Sequence, residues 1–145
     1  MQKDWRYYTL LAAATYNIIW GAWVVLFPQH AFNWTGMDQP IYPMIWQSVG
    51  MIVGVYGLGY AIAAFDPDRH WPIVLVGFFG KVFGPIGFIY HYSLGNFPPS
   101  FWWITLFNDL IWIVPFALIF WSAKPWHINS SISLLDTSAG ASGSD

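Results

Sequence analysis

Residues 44–65 read MIWQSVGMIVGVYGLGYAIAAF, a mostly apolar stretch that contains no charged side chain. A helix rises 1.5 Å per residue, so about 20 such residues cross the roughly 30 Å hydrocarbon core of a bilayer. The stretch is therefore predicted to be a transmembrane helix. Three more stretches of similar length and composition predict the rest of the fold, and the four spans are about 7–27, 44–65, 72–92 and 101–121.

The composition of the whole chain agrees with these spans. Of its 145 residues, 57% are hydrophobic and only 8% are charged, whereas soluble domains carry about a quarter charged residues. The sequence therefore predicts an all-α integral membrane protein, folded as a four-transmembrane-helix bundle. Residues 1–127 are expected to form one membrane domain. Residues 128–145 are rich in Ser, Gly and Ala, and we expect them to be a flexible cytoplasmic tail.

Several function classes are excluded by the residues the chain lacks. A net charge of −2 with five Lys and Arg residues provides no basic surface for nucleic acid. Without cysteine the chain has no disulfide, no thiolate nucleophile and no thiolate-bound metal. His30, His70, His91 and His127 fall on both sides of the predicted membrane, so no metal site is predicted. The sequence does not identify a cofactor.

The basic residues give an orientation. They flank the spans on one side only, and these residues are Lys3, Arg6, Arg69 and Lys124. Segments 28–43 and 93–100 contain neither Lys nor Arg. The positive-inside rule then places both termini in the cytoplasm, and we expect a multi-pass protein of a cytoplasmic (inner) membrane. Trp20 and Trp46 are expected at the outer interface, where tryptophan is common.

Small residues predict how the spans pack. In lipid, helices associate closely where small residues let their backbones approach, as in GxxxG motifs. Two consecutive spans carry such residues at spacings of three and four, namely Gly50, Gly54, Gly57, Ala61 and Ala64, and then Gly77, Gly80, Gly84 and Gly87. Because a tight turn at residues 66–70 joins these spans, the second and third spans are predicted to form a close hairpin.

Three spans carry a polar residue near the middle of the membrane. At 1.5 Å per residue, Lys81 lies about 13 Å, Asn17 about 15 Å and Asp109 about 18 Å from the inner ends of their helices. The three are therefore predicted to share one layer. Ionisable residues inside the hydrocarbon are functional by default.

This polar layer has three interpretations, which the sequence alone leaves open. Lys81 and Asp109 form a structural ion pair completed by asparagines, or they bind the polar head group of a lipophilic molecule together with the carbonyl that Pro85 frees, or the site transfers protons. The catalytic candidates are Asp109, Lys81 and His91. The ligand-binding candidates are Asn17, Gln47, Lys81, Asn108 and Asp109.

The corresponding functions belong to three classes. The first is an accessory or lipophilic-ligand-binding subunit of a membrane assembly, which we favour because no water-facing domain is expected. The second is an integral-membrane enzyme that performs proton-transfer chemistry on an isoprenoid, quinone or lipid. The third is a small oligomeric transporter. The expected partners are membrane lipids and either another membrane protein or further copies of this chain, and nucleic acid is not among them.

The stretch DPDRHWPIVLVGFFGKVFGPIGF at residues 66–88, with NDLIW at 108–112 and Pro115-Phe116, resembles a group of small uncharacterised bacterial four-helix membrane proteins. The resemblance covers most of residues 7–121 and implies four spans in a bacterial inner membrane. Some members carry the automatic label alkyl hydroperoxide reductase. Because those peroxidases act through cysteine, and this chain has none, the label is not extended to it.

Overall fold

The computed structural model of the protein describes residues 4–123. The predictions for Lys3, Lys124, His127 and the tail at 128–145 lie outside these residues. The described chain is helical and contains no strand. Its helices are α1 (Trp5–Leu26), α2 (His30–Thr35), α3 (Pro43–Phe65), α4 (Trp71–Ser93), α5 (Trp102–Thr105) and α6 (Ile111–Ser122).

Within residues 4–123, four helical segments are long and apolar enough to cross a membrane. They are Trp5–Leu26, Pro43–Phe65, Trp71–Ser93 and Pro99–Ser122. The predicted all-α fold with four spans is confirmed, and the chain is a multi-pass membrane protein. Two names describe its ends below. The Asp66 end contains the start of α1, the α3–α4 turn and the end of α6, and the His91 end is the opposite one.

The fourth span is not one uniform helix. It begins with a 3-10 turn at Pro99–Phe101, continues through α5, and then forms a π-helical turn at Leu106–Leu110 before α6. A π turn contains an extra residue and is often found at functional sites. This one carries Asn108 and Asp109, so the two polar residues of the span lie where its backbone departs from α geometry.

The closest helix pair is α1 with α3, and glycines make this approach possible. A β-carbon on Gly21 would lie 2.5 Å from the carbonyl oxygen of Gly50 and 2.9 Å from the amide nitrogen of Gly54. A β-carbon on Gly57 would lie 2.9 Å from the carbonyl oxygen of Ala14. Real β-carbons do not approach other atoms so closely, so the two backbones are in contact only because side chains are absent there.

The predicted close hairpin of the second and third spans, α3 and α4, is wrong. Helix α4 packs mainly against α6 and makes fewer contacts with α3. Two glycines of α4, Gly77 and Gly84, make room for side chains rather than for a neighbouring backbone. A β-carbon on Gly77 would lie 2.6 Å from the Tyr60 ring, and one on Gly84 would lie 2.5 Å from the carboxylate of Asp109.

The buried apolar core occupies the half of the bundle nearer the Asp66 end. Its buried members are contributed by α1, α3, α4 and α6, and they are Leu10, Ala13, Ala14, Tyr60, Ala63, Ala64, Val74, Phe116 and Ile119. Tyr60 and Phe116 pack edge to face, with ring centroids 4.9 Å apart. This apolar cluster seals the bundle on that side of the polar layer.

Arg6 ties the start of α1 to the α3–α4 turn. Its guanidinium donates two hydrogen bonds to Asp68, of 2.9 and 3.2 Å, and a third of 2.8 Å to Asp4. Asp4 also caps α1 by accepting from the backbone amides of Arg6 and Tyr7. Burial raises the pKa of Asp4, but these hydrogen bonds outweigh it, so the pKa lies below its usual value.

The contact between α1 and α3 predicts the effect of side-chain volume at its glycines. Gly21→Ala should destabilise the protein by about 1–3 kcal/mol, because its β-carbon forces the two backbones apart. Gly54→Ala is the matched control, because a β-carbon there meets no atom within 4 Å. Thermal unfolding in detergent should give a lower midpoint for Gly21→Ala alone. Equal midpoints for the two variants would contradict this packing.

Candidate functional site

Lys81 of α4 reaches across to the π turn of the fourth span. Its side chain is 6% exposed and that of Asp109 is 13% exposed. The ammonium Nζ donates a 2.6 Å hydrogen bond to the backbone carbonyl of Asn108 and lies 3.6 Å from Oδ1 of Asp109. The side-chain amide of Asn108 donates to the same Oδ1 over 3.2 Å. The carbonyl of Asn108 and the carboxylate of Asp109 are therefore both partners of the buried ammonium.

The π turn supplies the carbonyls that accept these donors. The regular i to i+4 hydrogen bonding of an α-helix is interrupted in a π turn, which makes carbonyls available to other donors. The carbonyl of Phe107 accepts a 3.0 Å bond from the indole of Trp112, and that of Asn108 accepts from Lys81. The sequence had drawn attention to a different carbonyl, that of Lys81 itself, which Pro85 frees. Its role in the site stays a prediction.

A glycine brings the carboxylate of Asp109 close to α4. A β-carbon on Gly84 would lie 2.5 Å from Oδ2 and 3.0 Å from Cγ of Asp109. Because Gly84 lies three residues after Lys81, it is on the same face of α4. Gly84 and Lys81 together hold the carboxylate against one stretch of this helix.

A mid-depth cavity of about 220 Å³ opens beside the buried ammonium. Its polar lining comes from four helical segments, and these residues are Asn17, Tyr56, Tyr60, Lys81, Asn108 and Asp109. Asn17 is 2% exposed. The side-chain oxygens Oδ1 of Asn17 and of Asn108 are buried and have no hydrogen-bond partner. Buried polar groups are normally hydrogen-bonded, so both oxygens need an explanation.

An outer cavity of about 340 Å³ lies on the other side of Asp109. It shares four lining residues with the mid-depth cavity, which are Val53, Gly84, Asn108 and Asp109. Towards the His91 end its lining is mostly aromatic and consists of Trp20, Trp46, Phe88, His91, Phe97 and Phe101, among others. The indole nitrogen of Trp46 is also buried without a partner. The two cavities meet at the carboxylate.

The structure brings four of the ligand-binding candidates together, since Asn17, Lys81, Asn108 and Asp109 all line the mid-depth cavity. Gln47 does not line either cavity. Its amide donates a 2.9 Å bond to the carbonyl of Val25 and thereby links α3 to α1.

The remaining catalytic candidate, His91, lines the outer cavity rather than the mid-depth one. Its Nδ1 lies 3.1 Å from the side-chain amide of Asn96.

Aromatic residues of the site were missed from the sequence. Tyr56 and Tyr60 line the mid-depth cavity, and Trp20 and Trp46 line the outer one. Aromatic side chains are frequent along every span of this chain, so the two tryptophans were interpreted as interfacial. One signal was available, because Tyr56 and Tyr60 flank Gly57 and Gly59 in the most glycine-rich segment of α3.

The ion pair of Lys81 and Asp109 predicts that removing only one of the two charges destabilises the protein strongly. Lys81→Met leaves the Asp109 carboxylate without its cation in a low-dielectric setting, which should cost about 3–5 kcal/mol. The double variant Lys81→Met/Asp109→Leu removes both charges and should recover most of that loss. Thermal unfolding in detergent of Lys81→Met, of Asp109→Leu and of the double variant measures the coupling. A double variant as unstable as the sum of the two single variants would argue against any interaction.

Comparisons with known proteins found no matching protein-family model, curated protein or solved structure. The likeness to small bacterial four-helix membrane proteins stays an expectation from sequence. The chemistry of the two cavities is therefore the basis for a functional conclusion.

Proposed function

We propose that the protein binds the polar head group of a lipophilic molecule in the mid-depth cavity and acts as a ligand-binding or accessory subunit of a membrane assembly. One observation carries this proposal. The cavity lies at the centre of the spans and is lined by polar side chains, one of which, Asn17, is almost fully buried with an unpartnered oxygen. Pockets with a few converging polar groups in an apolar wall are typical ligand sites.

A purely structural role accounts less well for these polar groups. Lys81 and Asp109 compensate each other's charge, so the ion pair itself needs no further group. An unsatisfied buried acceptor, in contrast, costs about 1–3 kcal/mol. The site contains two of them, on Asn17 and Asn108. A bound molecule that donates a hydrogen bond to one of these oxygens would remove its share of that cost. The same molecule would fill space that a self-contained ion pair does not need.

Two alternative functions differ in their support. A transporter requires a polar path along the whole bundle, but the apolar cluster around Tyr60 and Phe116 closes the side towards the Asp66 end.

An enzyme that transfers protons is the second candidate, because the carboxylate of Asp109 lines both cavities. If a molecule that co-purifies is converted by the wild-type protein, Asp109→Asn should abolish its turnover.

The orientation of the chain belongs to the same proposal. Arg6 and Arg69 lie at the Asp66 end of the bundle, whereas the connecting segments at the His91 end contain neither Lys nor Arg. The positive-inside rule supports a cytoplasmic membrane with both termini in the cytoplasm. The outer cavity then faces away from the cytoplasm. Surrounding lipids and a protein partner, or further copies of the chain, would cover the broad apolar outer surface of the bundle.

The proposed orientation can be measured by cysteine labelling, because the natural chain has no cysteine. Gln39→Cys lies in the connection between α2 and α3, and Ser138→Cys lies near the C-terminus. In intact cells, a membrane-impermeant maleimide should label Gln39→Cys at once and Ser138→Cys only after permeabilisation. The reverse pattern would show that the chain is oriented the other way.

The ligand itself can be found by gentle purification and mass analysis of the extracted small molecules. We expect one lipophilic compound in near-stoichiometric amount, and Asn17→Leu should lose most of it. Thr15→Val is the matched control, because Thr15 lies two residues away on an exposed part of α1 and bonds only to the carbonyl of Leu11. Wild-type protein that retains protein partners but no small molecule would refute the binding proposal.

A further inference from the structure

The chemistry of the head group can be inferred from the charges and hydrogen bonds of the mid-depth cavity. The charged side chains that line it are Lys81 and Asp109, and their charged atoms lie 3.6 Å apart. As an ion pair the two carry no net charge. An anionic or cationic head group would therefore bring an unmatched charge into a low-dielectric site, which is costly. The cavity favours an uncharged head group.

The unpartnered atoms show which hydrogen bonds the head group must make. The amide of Asn108 has a defined orientation, because only its NH₂ group can donate to the carboxylate of Asp109. Its Oδ1 is therefore an acceptor, and it has no donor. Oδ1 of Asn17 is a second buried acceptor without a donor. A ligand that pairs with either oxygen has to supply a hydrogen-bond donor, which ethers, esters and ketones cannot do.

The outer cavity provides a direction for the apolar part of the ligand. The cluster around Tyr60 and Phe116 blocks the Asp66 end, whereas the outer cavity continues from the shared residues Val53 and Gly84 towards the His91 end. From Val53 to Trp46 the wall of α3 extends seven residues, or about 10 Å. A hydrocarbon chain attached to the head group fits this aromatic-lined passage.

We propose that the ligand is a long-chain alcohol, whose uncharged hydroxyl donates its one hydrogen to Oδ1 of Asn17, beside Asn108, and whose apolar chain, isoprenoid or alkyl, lies in the outer cavity. The proposal rests on the proposed function and specifies its ligand class. Hydroxyl groups both donate and accept, so the head group can pair with an asparagine oxygen and still accept a bond from another group of the site.

Three matched probes test this inference. Farnesol carries a hydroxyl, farnesyl methyl ether has the same chain without a donor, and farnesyl phosphate has the same chain with an anionic head. Binding to the full-length protein in phosphatidylcholine nanodiscs can be followed by the fluorescence of tryptophan, since Trp20 and Trp46 line the outer cavity. We expect farnesol to bind about tenfold more tightly than the ether, as the loss of one buried hydrogen bond predicts. It should also bind more tightly than the phosphate, because the cavity has no net charge to match an anionic head.

Two variants test whether Oδ1 of Asn17 is the group that recognises the hydroxyl of the alcohol. Asn17→Leu should reduce the preference for the alcohol over the ether to less than about threefold, whereas Thr15→Val should keep it. The probe series on the wild-type protein remains decisive if Asn17→Leu does not fold, because it needs no substitution. A variant Asn17→Leu that folds and still prefers the alcohol tenfold would show that this oxygen does not recognise the hydroxyl.

The outcomes separate this inference from the proposed function. Equal affinity for the ether would overturn the donor requirement, and equal or tighter binding of the phosphate would overturn the argument from charge. In both cases a lipophilic molecule still binds, so the proposed function stands. Failure of all three probes overturns the alcohol inference, and the co-purified extract then decides the proposed function, which fails only if that extract also contains no lipophilic compound.

Discussion

A buried ammonium imposes the central constraint on this structure. Lys81 lies near the middle of an apolar helix, where the hydrocarbon offers no water to solvate its charge. The carbonyl of Asn108 and the carboxylate of Asp109 replace that water. Both belong to a π turn, and Gly84 leaves room for the carboxylate. The position of the fourth span against α4 therefore depends on solvating one charge, and the cavities lie on either side of this contact.

The two halves of the bundle have different tasks as a consequence. Towards the Asp66 end the interior is filled by an apolar cluster, and Arg6 ties the start of α1 to the α3–α4 turn. Towards the His91 end the interior contains cavities bordered by aromatic rings. The glycine contact of α1 with α3 spans both halves and keeps Asn17 facing the polar layer. Stability is thus concentrated in one half and space for a ligand in the other.

The sequence predicted the helical class, the four spans and a shared layer for Asn17, Lys81 and Asp109, which line one cavity. These features follow from length, hydropathy and a fixed rise per residue. It could not predict which helices pair. Spacing identifies a glycine-rich face but does not say whether a backbone, as at Gly21, or a side chain, as at Gly84, fills the space. The π turn was also beyond prediction, since no residue type specifies it. Gln47 was predicted to be a ligand-binding residue, whereas its amide donates to α1 and serves the contact between α1 and α3.

The π turn has a consequence for how the fourth span can vary. One extra residue in a turn rotates the helix before it by about 100° relative to the helix after it. The segment Trp102–Thr105 and the segment Ile111–Ser122 therefore follow two different helical phases along one span. A single-residue deletion in the turn would make the two phases the same. It would move out of register either the residues that line the outer cavity, Ile104 and Thr105, or those of the apolar cluster, Phe116 and Ile119. The length of this span is consequently as constrained as its composition, although its surface is almost uniformly apolar.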